Sequence, residues 1–253
     1  MRPNSALRKM RAGQPISVGW LVAGSPLLAE AAARVGFDAL LLDTQHGYWP
    51  PEALVNALQV IGPTETVPLV RVLRNEYHLI GRALDDGALG VVVPLVNSAA
   101  EAKAAVQAAR YPPAGARSAA SARVRYYGED YVQQANSEIM VVVMIETREA
   151  VGRVEEIAAV PGVDCLMIGP GDLSLSLGCF GAPDAAHAAA IEGVIAAGRK
   201  AGVSVGMACG GPDDAVRRAE QGMLFLAGGS DWGWAIGGAQ AHLAALQAGL
   251  GAL

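Results

Sequence analysis

Six polar residues follow or end short apolar runs, and their types suit one kind of chemistry. Asp43, Gln45 and His46 follow the run 38–42, and Arg71 ends 67–71. Glu146 follows 139–145, and Asp172 lies in Gly169-Pro170-Gly171-Asp172, just beyond 164–168. The three lysines, Lys9, Lys103 and Lys200, end no such run, which leaves a Schiff base without a nucleophile. No Ser or Cys sits in a nucleophile-elbow context. What remains is oxygen-ligand metal chemistry. Glu146 and Asp172 would offer two carboxylates to Mg²⁺, Mn²⁺ or a similar ion, with open positions for water and substrate. Such an ion can hold a 2-oxo acid and stabilise the enolate formed when a proton leaves the adjacent carbon. Arg71 could lie over the same developing charge. His46 is the natural general base, with Asp85 or Asp43 as its carboxylate partner.

Each residue also has an ordinary structural reading. Glu146 could favour a helix N-terminus, Asp172 a turn, Asp85 a helix exit; Arg71 could form an ion pair, and His46 could be an idle loop residue. Their joint placement at strand ends favours chemistry. His78, His187 and His242 fall in helical stretches and read as structural.

The elements that must position these groups alternate along the chain. Strands are expected over 17–22, 38–42, 67–71, 90–93, 139–145, 164–168, 203–207 and 223–227. Helices are expected over 27–35, 52–60, 76–84, 98–109, 148–159, 184–201 and 212–221. Near-continuous apolar strands suit a parallel sheet covered on both faces. Several helices run out at glycine: Gly36, Gly87, Gly202 and Gly222. Eight such units in 253 residues predict a single-domain TIM (β/α)8 barrel, an α/β fold whose chemistry sits at the C-terminal strand ends. A doubly wound open sheet is the alternative, but Ala23-Gly24-Ser25-Pro26 is no dinucleotide fingerprint. The long connections 43–51 and 110–138 are expected to be functional.

Composition bounds the partners. At 52% hydrophobic and 17% charged residues, disorder is excluded. A net charge of −5 argues against nucleic acid. No apolar run reaches the roughly 18–20 residues of a membrane span, and the basic start precedes no signal-type apolar region. Cys165, Cys179 and Cys209 show no metal-type spacing and fit a reducing cytosol, so a cytoplasmic location is expected. No Asp, Glu, Lys or Arg follows Asp231, so the last helix is expected to pack on another subunit.

The motifs Leu42-Asp43-Thr44-Gln45-His46, Pro68-Leu69-Val70-Arg71, Val93-Pro94-Leu95-Val96, Ile145-Glu146-Thr147 and Ile168-Gly169-Pro170-Gly171-Asp172-Leu173-Ser174 resemble the HpcH/HpaI aldolase family. So does Arg110-Tyr111-Pro112-Pro113-Ala114-Gly115-Ala116-Arg117, the most distinctive stretch. The resemblance covers roughly 17–230. It implies a metal-dependent class II aldolase, an aldehyde-lyase that reversibly cleaves a 4-hydroxy-2-oxo acid to pyruvate and an aldehyde, in carbohydrate-acid or aromatic catabolism. It implies Glu146 and Asp172 as ligands of a divalent ion (Mg²⁺, Mn²⁺ or Co²⁺) and His46 as base. Arg71 would stabilise the oxyanion, and Asp85 would strengthen His46. Gly171, Asp172, Arg71 and Trp20 would bind substrate, and residues near 117–127 would shape the aldehyde end. It further implies a homohexamer, a trimer of dimers, with 229–253 exchanged between neighbours.

The chain departs from that pattern in places. Many relatives have Glu where this chain has Gln45, some have Gln at Met144, and Arg117-Ser118-Ala119-Ala120 is less glycine-rich than usual. Three rivals compete. A CoA-ester lyase would need a basic cluster for the CoA phosphates. A phosphosugar enzyme would use Cys209-Gly210-Gly211 and Gly228-Gly229-Ser230. A non-catalytic oligomer would bind a 2-oxo acid or a metal.

Overall fold

A computed structural model describes residues 1–251. Ala252 and Leu253, the end of the expected exchange segment, lie outside the described residues. The strands are β1 (Ile16–Leu21), β2 (Ala39–Asp43), β3 (Val67–Arg71), β4 (Gly90–Val93), β5 (Met140–Ile145), β6 (Cys165–Ile168), β7 (Ser204–Ala208) and β8 (Phe225–Ser230). All are parallel, in sequence order, and β8 pairs with β1 to close the expected barrel. Every residue of β2 to β6 is buried, as helices outside and side chains inside require.

The helices are α1 (Ser5–Arg11), α2 (Pro26–Ala33), α3 (Pro51–Ile61), α4 (Tyr77–Asp85), α5 (Ala99–Ala109), α6 (Tyr131–Glu138), α7 (Arg148–Gly152), α8 (Val154–Ala158), α9 (Pro170–Leu177), α10 (Ala185–Ala201), α11 (Pro212–Glu220) and α12 (Asp231–Leu250). Four local features depart from the sequence reading. Helix α1 is added ahead of the barrel: Asn4 caps it and its Leu7 and Met10 are buried, a pattern too short to show periodicity. The stretch 148–159 splits into α7 and α8 at Arg153, whose φ of −121° leaves the helical region. Asp172 belongs not to a loop but to the first turn of α9, because Pro170 takes the N1 position that proline favours. Gly228 to Ser230 finish β8 rather than follow it.

Each wall helix carries the chain from a strand's C-terminal end back to the next strand's N-terminal end. The mouth therefore collects the residues that follow each strand, and the opposite rim collects helix ends. That lower rim holds α1: Arg2 donates to Gly62 O, Thr64 O and Thr66 O, and Asn4 donates to Leu89 O. It also holds the connection 110–138, whose residues near 117–127 are expected to shape the aldehyde end. Arg110 donates to Ile139 O and to Asp164, just ahead of β5 and β6, and Tyr127 Oη donates to Gly87 O. The Arg-Tyr-Pro-Pro stretch is thus a structural knot of the lower rim; a Cβ at Gly115 would stand 2.4 Å from Arg110 O.

Helix α12 leaves the barrel wall. Of its residues only Asp231 is buried, and Leu243, Leu246 and Leu250 are each half or more exposed. Trp234 stacks on Phe37 at 5.3 Å and tethers its first turn. The wall beside β8 and β1 stays open: α11 buries no residue and Leu27 is 76% exposed.

Candidate active site

Register places the first cluster. Asp43 and Arg71 are the last residues of β2 and β3 and lie directly opposite each other. Their side chains form a bidentate pair, Arg71 Nε to Asp43 Oδ1 at 2.9 Å and Arg71 Nη2 to Asp43 Oδ2 at 2.6 Å. Trp20, near the end of β1, donates its indole N–H to Asp43 Oδ2 at 3.1 Å and lies 4.7 Å beneath the guanidinium. Asp43 Oδ1 also accepts the backbone N–H groups of Gln45 and His46. Burial pushes the Asp43 carboxyl up, but Arg71, Trp20 and the His46 amide outweigh it and hold the group below the usual carboxylate range. One carboxylate therefore fixes both the guanidinium and the turn that carries His46. His46 itself is exposed at the mouth, and its imidazole has no hydrogen-bond partner among the described residues.

The second cluster comes from β5 and β6. Glu146 is 2% exposed, and its Oε2 accepts Leu95 N–H at 2.8 Å. Leu95 makes that contact from the left-handed region (φ +53°), unusual for a residue with a γ-branch and typical of functional sites. Gly169 is required here: a Cβ would stand 2.4 Å from Glu146 Oε1. Burial raises the Glu146 carboxyl and the negative charge of Asp172 adds to it, against the Leu95 amide and Arg71. Both clusters follow the C-terminal ends of parallel strands of one closed barrel and so share one mouth. Gly171 and Asp172 are exposed in the first turn of α9, and nothing lies within 4 Å of where a Gly171 Cβ would be. Their amides are thus open to an anion.

Other expected residues fall elsewhere. Asp85 is not beside His46 within one chain. It ends α4 at the lower rim and pairs with Arg117 at 2.8 Å. Arg117 in turn lies 4.6 Å over Tyr111 and 5.6 Å over Tyr131, so the segment near 117–127 is away from this chain's own mouth. The reason is directional: a wall helix that starts at the mouth must end at the opposite rim. Met144 is buried, two residues before Glu146 and on its face of β5.

Near the strand-7 and strand-8 ends, where a phosphate would sit, two carboxylates take backbone amides. Asp214 accepts Gly210 N–H and pairs with Arg217 and Arg218. Asp231 accepts Val22 and Ala23 N–H. Sequence reasoning missed Trp20's bond to Asp43 and the Leu95 contact. Of these, only Val93-Pro94-Leu95 after a strand offered a signal.

The donor set fits a hard divalent cation. Burial, with the negative charge of Asp172 adding to it, raises the Glu146 carboxyl, and a cation beside the two would favour its ionised form. Gln45 Oε1 is buried without a hydrogen-bond partner, the state expected of an acceptor that needs a water or ligand donor. Among the described residues no three His, Cys, Asp or Glu side chains cluster as a metal site.

A family model described as HpcH/HpaI aldolase/citrate lyase matches residues 17–237. The chain is 42% identical over 234 residues to a 2-dehydro-3,6-dideoxy-6-sulfogluconate aldolase of Pseudomonas putida, covering 90% of this chain and 91% of that protein. It is 40% identical over 233 residues to a 4-hydroxy-2-oxo-heptane-1,7-dioate aldolase of Shigella sonnei, covering 90% and 89%. A crystal structure of an HpcH/HpaI aldolase/citrate lyase family protein from Burkholderia cenocepacia superposes with a TM-score of 0.91 at 34% identity, over 96% of this chain and 99% of that one.

Proposed function

This chain belongs to the HpcH/HpaI aldolase/citrate lyase family, and from that premise we propose that it reversibly cleaves a 4-hydroxy-2-oxo acid to pyruvate and an aldehyde. One observation carries the reading. A guanidinium locked by a buried carboxylate and a stacked indole shares one barrel mouth with the buried Glu146 carboxyl and the exposed Asp172.

In this reading Glu146 Oε1 and the Asp172 carboxylate hold a divalent cation, Mg²⁺, Mn²⁺ or Co²⁺. When bound, that ion supplies Lewis-acid stabilisation of the charge on the 2-oxo group. The Gly171 and Asp172 amides hold the pyruvate carboxylate at the start of α9. In the cleavage direction His46 takes the proton of the 4-hydroxyl, and the bond between carbons 3 and 4 breaks. Arg71 meets the negative charge that develops on the pyruvate fragment. Asp43 and Trp20 spare it any reorganisation at that moment. Trp20 is half-buried, and its indole edge is committed to Asp43, so it touches substrate only through its remaining surface.

The reading extends to assembly. Helix α12, apolar and uncharged after Asp231, packs on a neighbouring chain's open wall, and the assembly is a homohexamer with 229–253 as the exchanged segment of a single-domain chain. Asp85 and the segment 117–127 then act on a neighbour's His46 and aldehyde end, since they cannot reach their own. No described helix is long and apolar enough to cross a membrane.

The test is deuterium exchange into the pyruvate methyl group in D₂O, followed by NMR, with Mg²⁺ or Mn²⁺ and then EDTA. Metal-dependent exchange that is lost in His46→Ala is expected. Pyruvate binding without exchange in any metal would overturn the aldolase reading in favour of a binding protein.

A further inference from the structure

Helix α10 is nearly all apolar on its buried face, with one exception. His187 is 7% exposed among Ala190, Ile191 and Val194, and the aldolase reading gives it no task. Its backbone N–H is capped by Asp184, and its ring Nε2 lies 3.2 Å from Pro170 O. A carbonyl oxygen can only accept, so Nε2 carries the proton. Pro170 O belongs to the peptide unit whose N–H is that of Gly171. A second buried side chain does the same one unit on: Ser174, 4% exposed, donates from Oγ to Gly171 O at 2.6 Å. Gly171 O belongs to the peptide unit whose N–H is that of Asp172. Each open amide at the start of α9 therefore has a side-chain donor on the far end of its own peptide group. A donor at C=O polarises the N–H of the same unit and fixes its plane.

We propose that His187 and Ser174 are positioning residues that orient and strengthen the Gly171 and Asp172 amides as the carboxylate cradle for a 2-oxo acid. The inference rests on the aldolase reading for the ligand, but not for the hydrogen bonds. Neither residue touches substrate. His187 reaches over from a neighbouring helix, so it also ties the cradle's direction to the barrel wall rather than to α9 alone. Apolar replacement at 187 would leave Pro170 O with only its helical partner.

The experiment uses the full-length protein with Mn²⁺ and titrates oxalate, a dicarboxylate mimic of a 2-oxo acid, by calorimetry. His187→Leu keeps bulk without a donor, His187→Gln keeps a donor at similar reach, and Ser174→Ala removes a hydroxyl alone. His187→Leu and Ser174→Ala are expected to raise the oxalate Kd roughly three- to ten-fold. His187→Gln should stay within about two-fold of wild type, and the Mn²⁺ Kd should change less than about two-fold in all three. Hydrogen exchange of segment 169–176, read by mass spectrometry, should quicken in His187→Leu and Ser174→Ala and match wild type in His187→Gln. An unchanged oxalate Kd in Ser174→Ala and His187→Leu, or a Gln variant as impaired as the Leu one, overturns the proposal. If wild-type protein binds neither oxalate nor pyruvate, the aldolase reading falls instead. The exchange pattern then decides the inference by itself, and equal protection in all variants sinks it.

Discussion

Replacing Glu146 by Gln should stabilise the metal-free protein and abolish its response to metal. Burial first, then the charge of Asp172, raises the Glu146 carboxyl, and the Leu95 amide and Arg71 only partly oppose them. The folded chain thus binds this proton more tightly than the unfolded chain does. Stability falls as pH rises from the usual carboxylate range through the raised value, and the penalty persists above it. Gln is neutral, has the same shape and can still accept Leu95 N–H, so it escapes the penalty. In EDTA at pH 7.5 the variant should melt above wild type. Saturating Mn²⁺ reverses the order. A ligand at one hundred times its Kd adds about 2.7 kcal/mol to the native state. With 253 residues and a melting entropy of about 2.1 cal/mol/K per residue, that is a rise of about 5 °C. The variant should shift by less than about 1 °C. Scanning calorimetry at equal protein concentration measures both. A variant that melts below wild type in EDTA, or that keeps the metal shift, refutes the reasoning.

Asp43→Asn leaves Arg71 buried without its partner and should cost about 3–5 kcal/mol at pH 7. The folded Asp43 carboxyl is depressed, so its contribution is full above the usual carboxylate range and is lost as pH falls through the depressed value. Urea melts from pH 7 down to 3 should show the gap to wild type closing only at the acid end. Leu243→Lys with Leu246→Lys places two charges on the exposed apolar helix. Sedimentation should show a smaller assembly with an intact barrel by circular dichroism, whereas an unchanged mass rules out α12 as the contact. Asp85→Asn and Glu146→Gln proteins should each be inactive alone. Unfolded and refolded together they should regain activity, since some mouths then combine an intact Glu146 with a neighbour's Asp85; no recovery argues that Asp85 does not act across chains.

The barrel was legible because its strands are near-continuous apolar runs separated by Ala-rich helices that stop at glycine. Several strand ends shifted by one to three residues, most at β8, where pairing partners rather than propensity set the limit. The mouth residues were legible for the same reason: Arg71 and Glu146 sit where a strand leaves the sheet. Asp85 and the segment 110–138 were not. Their types suit chemistry, but which rim they occupy depends on the direction of α4 and on the bonds of Arg110 and Tyr127, all made to distant parts of the chain. His187 looked like filler in an Ala-rich helix, since its ring's one partner among the described residues is a carbonyl 17 residues away.

The sequence by itself determined the fold class, the family and the inventory of acids, cation and base. Periodicity and motif spacing are local properties, and barrel topology turns them into a shared mouth. Only the tertiary structure decided which carboxylate holds Arg71, that Leu95 and Gly169 shape the pocket of Glu146, and that Asp85 faces the wrong way within one chain. Those outcomes depend on register between strands and on the hand-over from strand to helix. Distances of that kind are set by the closed sheet as a whole, not by any segment of it.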